Sequence, residues 1–321
     1  MPTHLFINNI FKYSLVFLLT YLWSIYIFDL YYAGDQIAYS RFYNESVGFN
    51  FLETYIFQRG MVGASEPGFA FLIYATNDYL EKSTLMSLSN GLLSILILYS
   101  LRGRKGLWVL FFFFIFNYYI SVLFFSAERL KFACILALIV MNMRSGYLKS
   151  LLLVTPLFFH FQYLLILPMI YVGMHKQELN KLLMTLRFQF SFLKLIFFIF
   201  GAVLLLVFSN FFLAPLIAKF MAYLGMPTIA DLIRAALISV FLIAISKEKL
   251  ISLLVAAYFM ILIFILGTER IIILEVAYIF GTIRLTNEYL YAAFLLIGTY
   301  FFIKTIQFHS FIFECGHGFA C

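Results

Sequence analysis

Charge is what this sequence has least of. Only 12% of its 321 residues are Asp, Glu, Lys or Arg, about half of the roughly 25% found in soluble domains. That shortage excludes an ordinary water-soluble globule, because so few ionisable groups cannot cover a chain that is 64% hydrophobic. Cysteine is scarce too: Cys134, Cys315 and Cys321 are the whole set, and their spacing is not that of a metal site. Cys315 and Cys321 are able to pair if the tail faces an oxidising compartment; unpaired thiols are the default expectation. The first apolar stretch is about 20 residues long and lacks a small-residue cleavage site, so it reads as a retained anchor rather than a removed signal. No two-fold internal repeat stands out. No acidic pair recurs at helical spacing, so neither a magnesium cage nor any other cofactor is expected. The net charge of +7 does not imply nucleic acid, because the basic residues sit in short loops between apolar runs, where they set membrane orientation.

What is present is apolar and aromatic: 21% of the residues are Phe, Trp or Tyr, and the mean hydropathy is +1.00. Lipid is therefore the expected solvent. Unbroken runs such as 107–125 do not alternate, which favours helices over a closed barrel. A spanning helix needs about 20 apolar residues, and such stretches fall at 10–32, 84–101, 107–125, 129–143, 188–213, 228–246, 250–267, 271–285 and 289–303. The expected fold class is all-α: one polytopic membrane domain over 1–321 with about nine to eleven transmembrane segments, including a re-entrant hairpin.

The basic loops Arg102-Gly-Arg104-Lys105, Arg144 to Lys149, His175 to Arg187 and Lys247-Glu-Lys249 are expected on the cytoplasmic side. The segment 150–173 lies between two of them, so it should enter and return as two half-helices with Phe159-His160-Phe161-Gln162 at the apex. The stretch 66–80 is too short and polar to cross and should lie on the outer face, within an outer loop at 33–83 that carries a short interfacial helix. Asp35, Arg41, Glu45, Glu53, Arg59 and Glu66 belong to that loop, while Glu128-Arg129 and Glu269-Arg270 cap outward turns. The ionisable residues that are not topology signals thus collect on one face.

Ionisable groups near membrane depth cost at least a few kcal/mol unless paired or hydrated, so they are functional candidates. The plain alternative for the two acid–arginine pairs is helix-end charge that snorkels to the interface. Against it, arginines on the outer face run counter to the usual positive-inside bias, and a guanidinium binds phosphate bidentately. His160 is either a buried, hydrogen-bonded structural histidine or a general base, the role suited to a side chain that titrates near neutrality. The clustered aromatics, including Tyr118-Tyr119, read mostly as lipid-facing filler or interface belt. Together these residues fit a substrate with a lipid tail, a diphosphate and a polar head.

Several short patterns in order resemble the EpsG/Wzy group of bacterial polysaccharide polymerases. They are Gly34-Asp35-x-x-x-Tyr39-x-x-x-Tyr43, Glu66-Pro67-Gly68-Phe69, Arg129-x-x-x-Ala133, and His160 inside an apolar hairpin. Leu130 stands where that family usually has Gln, and Phe161-Gln162 stand where small residues normally follow the histidine. The resemblance implies a GT-C-like membrane enzyme that joins undecaprenyl-diphosphate-linked oligosaccharide repeats at the periplasmic face of the bacterial inner membrane, without metal. It also implies a chain-length regulator and a flippase as partners. Carried onto this chain, Arg129 and Arg270 would hold the donor diphosphate and His160 would act as base. Asp35, Tyr39, Tyr43, Glu66, Glu128 and Lys131 would bind or position substrate. Other readings remain: a lipid-linked transferase such as an O-antigen ligase or acyltransferase, or a polysaccharide flippase. Transport is the less favoured, because transporters show internal repeats and charges at mid-membrane.

Overall fold

The computed structural model describes residues 3–103, 106–143, 147–174, 229–245, 249–266, 271–276 and 288–319. These residues are helical, with no strand among them. Three helices are long and apolar enough to cross a membrane, at Ile10–Leu30, Lys82–Ser100 and Phe294–Cys315, and a bent pair makes a fourth. The chain is that of a helical membrane protein. The described spans are fewer than the nine to eleven expected. The run 188–213 and most of 271–285 lie outside the described residues, and 129–143 forms a helix of only 15 residues. Two compact units emerge, Met1–Leu165 with Asn287–Cys321, and Ile166–Thr286.

The first unit is built on α1 (Thr3–Leu30) against α5 (Lys82–Ser100). The two are antiparallel: Tyr13 meets Tyr99, and Asn90 Nδ2 donates to Ser24 Oγ at 3.0 Å. Helix α1 buries Val16, Thr20, Ser24 and Ile27 at three- and four-residue spacing, with Tyr31 just beyond its end continuing that face, while Leu15, Leu18, Leu19, Leu22 and Tyr26 stay exposed. In lipid that arrangement is favourable, because small polar residues hydrogen-bond between helices and leucines meet acyl chains. Helix α5 answers with a buried face of Ser87, Ser89, Asn90 and Ser94. Gly91 allows the close approach, since a Cβ there would lie 2.8 Å from the Phe17 ring.

Helix α8 (Glu128–Asn142) runs parallel to α5, for Lys131 meets Asn90 and Asn142 meets Ser100. Both helices therefore begin on one side of the unit, with Glu81-Lys82 and Glu128-Arg129, and end on the other. Arg102 and Lys149 mark that far side; Lys149 Nζ donates to the Met141 carbonyl at 2.7 Å. The segment 33–83 folds at the starting side as three helices, α2 (Asp35–Glu45), α3 (Phe51–Met61) and α4 (Pro67–Thr76). Glu53 belongs to a capping box with Asn50 that opens α3, which gives this carboxylate a structural task.

The run 107–125, expected as one straight span, is two helices. Between α6 (Leu107–Ile115) and α7 (Tyr118–Phe125) the axis turns by 58°. Asn117 is the cause: its side chain accepts from Tyr119 N at 2.9 Å and caps α7 instead of continuing α6. The break exposes the Phe116 carbonyl, and Thr305 Oγ1 of the C-terminal helix (Glu288–Cys315) donates to it at 2.8 Å. Backbone at membrane depth needs such a partner. Cys315 is disulfide-bonded, which corrects the expectation of unpaired thiols there, while Cys134 is free. The next residue, Gly316, accepts at its carbonyl from Ala33 N at 2.9 Å, so this end of the helix lies beside the start of the 33–83 segment.

After α8 the chain forms α9 (Tyr147–Leu152), a 3-10 turn (Thr155–Phe158) and α10 (Tyr163–Met174). Lys149 sits at the far end of α8, whereas the Phe159 ring is 6.1 Å from Phe132 near its start. The interval 149–160 thus climbs the length of α8, and His160 falls in the break before α10. In the second unit, helices Ile229–Ile245 and Lys249–Leu266 pack together, and Ser239 Oγ donates to the buried Glu275 at 2.8 Å.

Candidate functional site

Glu66 precedes Pro67, which occupies the first turn of α4 with its φ already suited to a helix. The Glu66 side chain does not cap that helix. It turns inward instead, is 1% exposed, and takes Arg129 Nη1 at 2.6 Å on one oxygen and His160 Nδ1 at 3.1 Å on the other. Phe161 N donates to the second oxygen at 3.4 Å. Behind it, Gln58 Nε2 donates to the Glu66 carbonyl at 2.9 Å and fixes the backbone. A carboxylate so enclosed is tolerated because it is paired and hydrogen-bonded on both oxygens.

The framework around this carboxylate is aromatic. Phe69 is 1% exposed and contacts Tyr39, Phe42 and Phe132, so one ring ties α2, α4 and α8 together. Gly68 permits α4 to meet the 3-10 turn, since a Cβ at this position would lie 2.7 Å from the Phe158 carbonyl oxygen. Two residues beyond that carbonyl is His160.

His160 lies between two oxygens, Glu66 Oε1 at Nδ1 and Gln162 Oε1 at Nε2, the latter at 3.0 Å. Two acceptors hold an imidazolium. Turning the Gln162 amide over presents an N–H to Nε2 and holds the neutral ring instead. A group that takes up a proton and then hands it on needs both states to be accommodated. Arg129 Nε donates to Tyr39 Oη at 3.2 Å, and its Nη2 carries no hydrogen bond among the described residues, leaving one edge of the guanidinium for an anion.

A second ionic cluster adjoins the first. Lys82 Nζ is 3.2 Å from Glu128, donates to Ser40 Oγ at 3.1 Å and to Gln36 Oε1, and lies 5.8 Å over the Tyr39 ring. Tyr39 therefore belongs to both clusters. Burial raises its phenol above the ordinary value, Arg129 works in the opposite direction, and Glu128 adds to the rise. At neutral pH the phenol keeps its proton and has it to donate while accepting from Arg129. Beside Lys82 a cleft of about 430 Å³ opens between the end of α1, α2 and the α4–α5 connection.

The structure brings Arg129, His160, Glu66 and Tyr39 together and places Glu128 one side chain away. Lys131 is enclosed, its amine donating to Asn90 Oδ1 at 2.8 Å and the Phe124 carbonyl at 3.0 Å. Tyr43 Oη donates to the Leu80 carbonyl at 2.7 Å and lines the cleft rather than the Arg129 cluster. Asp35 opens α2 as an exposed residue with no side-chain hydrogen bond among the described residues. Arg270 lies outside the described residues. Sequence reasoning missed Lys82, Gln36, Gln58 and Gln162. A signal for Lys82 existed: Glu81-Lys82 repeats the acid–base dipeptide of Glu128-Arg129 and Glu269-Arg270 at the head of an apolar run. Comparison with known proteins gives no match, whether to a family model, a curated protein or a solved structure.

Proposed function

We propose that this protein is a membrane glycosyltransferase that polymerises lipid-linked oligosaccharide repeats at the outer face of a bacterial inner membrane. The observation that carries the reading is the Glu66 carboxylate held between Arg129 and His160. Glu66 orients the imidazole through Nδ1, and in this reading an acceptor hydroxyl takes the place of the Gln162 amide at Nε2. The hydroxyl proton passes to Nε2, its oxygen bonds to the anomeric carbon of the donor, and the bond from that carbon to the undecaprenyl diphosphate breaks with its electron pair leaving on phosphate. Arg129 meets the charge that develops on the departing oxygen, through the edge it does not share with Glu66. The Tyr39 hydroxyl lies on the same guanidinium and adds a donor toward it.

Two further features support the location. Arg102 and Lys149 lie on the side opposite the cluster, as cytoplasmic basic residues should. Disulfide-bonded Cys315 lies on the same side as the 33–83 segment, and disulfides persist in oxidising compartments such as the periplasm.

The test is a deletion strain carrying His160→Ala or Arg129→Ala, with its polysaccharide resolved by length on a gel. Polymerase function predicts that long chains disappear and single repeats remain. Complete loss of attached polysaccharide indicates a ligase, unmodified sugars indicate an acyltransferase, and lipid-linked repeat moved across vesicles without a new bond indicates a flippase. Unchanged long chains in both variants would overturn the reading.

A further inference from the structure

The cleft beside Lys82 is chemically unlike the Arg129 cluster. Its lining carries the amides of Gln36, Asn44 and Asn77, the hydroxyls of Ser40 and Ser83, and several aromatic rings. It carries no excess of positive charge. Lys82 is matched by Glu128 at 3.2 Å, and Glu81 stands at the mouth of the same cleft. A phosphate would find no surplus positive charge there. A metal ion would find no group of three ligating side chains, for none occurs among the described residues. The about 430 Å³ of space falls within the range of roughly 300–1,000 Å³ that small-molecule sites occupy.

A neutral polar lining beside aromatic rings suits a polyhydroxylated, uncharged ligand, which offers hydroxyls to Asn44 and the serines and C–H faces to the rings. We infer that this cleft binds the glycan of the acceptor, a neutral saccharide, as a subsite separate from the arginine–histidine cluster. The inference rests on the polymerase reading for the acceptor's role, but the binding chemistry stands on the cleft alone. Tyr39 supplies the connection: Lys82, which lines the cleft, sits over its ring, and its hydroxyl accepts from Arg129. A saccharide seated here would present its terminal hydroxyl one side chain away from the guanidinium. The wall is rigid where it matters, since Gln36 bonds both Lys82 and the Phe125 carbonyl, and Asn77 bonds Ser46. Asn44 and Glu81 are exposed, so enlarging them fills the cleft without disturbing that wall.

The experiment uses the full-length protein in lipid nanodiscs. The probe is oligosaccharide of one or two repeats, released from the host strain's own surface polysaccharide and free of lipid and phosphate. Saturation-transfer NMR and a fluorescence titration are expected to show binding to the unmodified protein. Affinity should fall at least tenfold in Asn44→Trp and in Glu81→Trp, and persist in His160→Ala. Thermal unfolding of each variant identifies loss of fold, and Val47→Trp provides a second way to fill the same cleft. No binding by the unmodified protein, equal binding by all three cleft-filled variants, or loss of binding in His160→Ala would each overturn the subsite. Binding that follows the cleft variants in a protein whose deletion leaves polysaccharide length unchanged would keep the subsite and refute the polymerase reading. Polymerisation that depends on His160 but ignores the cleft variants would do the reverse.

Discussion

A guanidinium that donates to a phenol through Nε and to a carboxylate through Nη1 uses a planar fork, and an ammonium offers no such fork. Arg129→Lys should therefore abolish long-chain product while the protein still accumulates in the membrane, measured by gel profile beside an immunoblot. Lys82 and Glu128 pose a different question, because both are nearly enclosed and 3.2 Å apart. Removing one partner of such a pair leaves a buried charge alone and costs about 3–5 kcal/mol, whereas removing both is often close to neutral. Lys82→Met or Glu128→Gln singly should lower the unfolding temperature in detergent, and the double variant should recover most of the loss. Equal, additive losses would mean the pair is not coupled. The contrast is Arg41–Glu45, a pair at 2.9 Å on an exposed helix face, where such contacts are worth about 0–1 kcal/mol.

Elements, rather than single residues, decide whether these groups meet. Glu66 arrives on the start of α4 and His160 on the turn before α10, and the two depend on how closely α4 approaches the 3-10 turn. Gly68→Ala places a methyl against the Phe158 carbonyl and should separate the carboxylate from the imidazole, with loss of long-chain polysaccharide. Gly60→Ala is the matched control, because a Cβ there meets nothing within 4 Å. It removes a helical glycine, worth roughly 0.5–1 kcal/mol in its favour, so stability should hold or rise and chain length should not change. At the same scale the sequence was legible where a pattern was local. The turn at His160, the carboxylates of the 33–83 segment and the helix beginning near Arg129 all follow from charge and hydropathy along the chain. The bend at Asn117 was not, because one capping amide within a long apolar run leaves hydropathy untouched. Nor was Lys82, whose partners Gln36, Ser40 and Glu128 come together only when α2, α5 and α8 pack.

For the whole molecule, sidedness is the property that every functional statement depends on. Cysteines introduced at Asn50 and at Asp78 should react with a membrane-impermeant maleimide added outside spheroplasts, and cysteines at Arg102 and Lys149 only after the membrane is opened. The opposite pattern would put the Arg129 cluster in the cytoplasm. Composition alone pointed to lipid as the solvent, and the basic loops gave an expected direction. Neither reveals depth, which depends on helix lengths in the folded bundle. There α8 is unusual: its 15 residues reach about 22 Å at 1.5 Å per residue, while hydrocarbon is about 30 Å thick. Beside it α5, with 19 residues, reaches about 28 Å. Where such a step meets lipid, it thins the leaflet around its shorter side. In the polymerase reading, head groups drawn down toward Arg129 would let a long-chain prenyl lipid bring its diphosphate to the guanidinium without leaving the membrane. Turnover should then fall as the acyl chains of the reconstituting lipid are lengthened, and bilayer thickness becomes a variable of the chemistry.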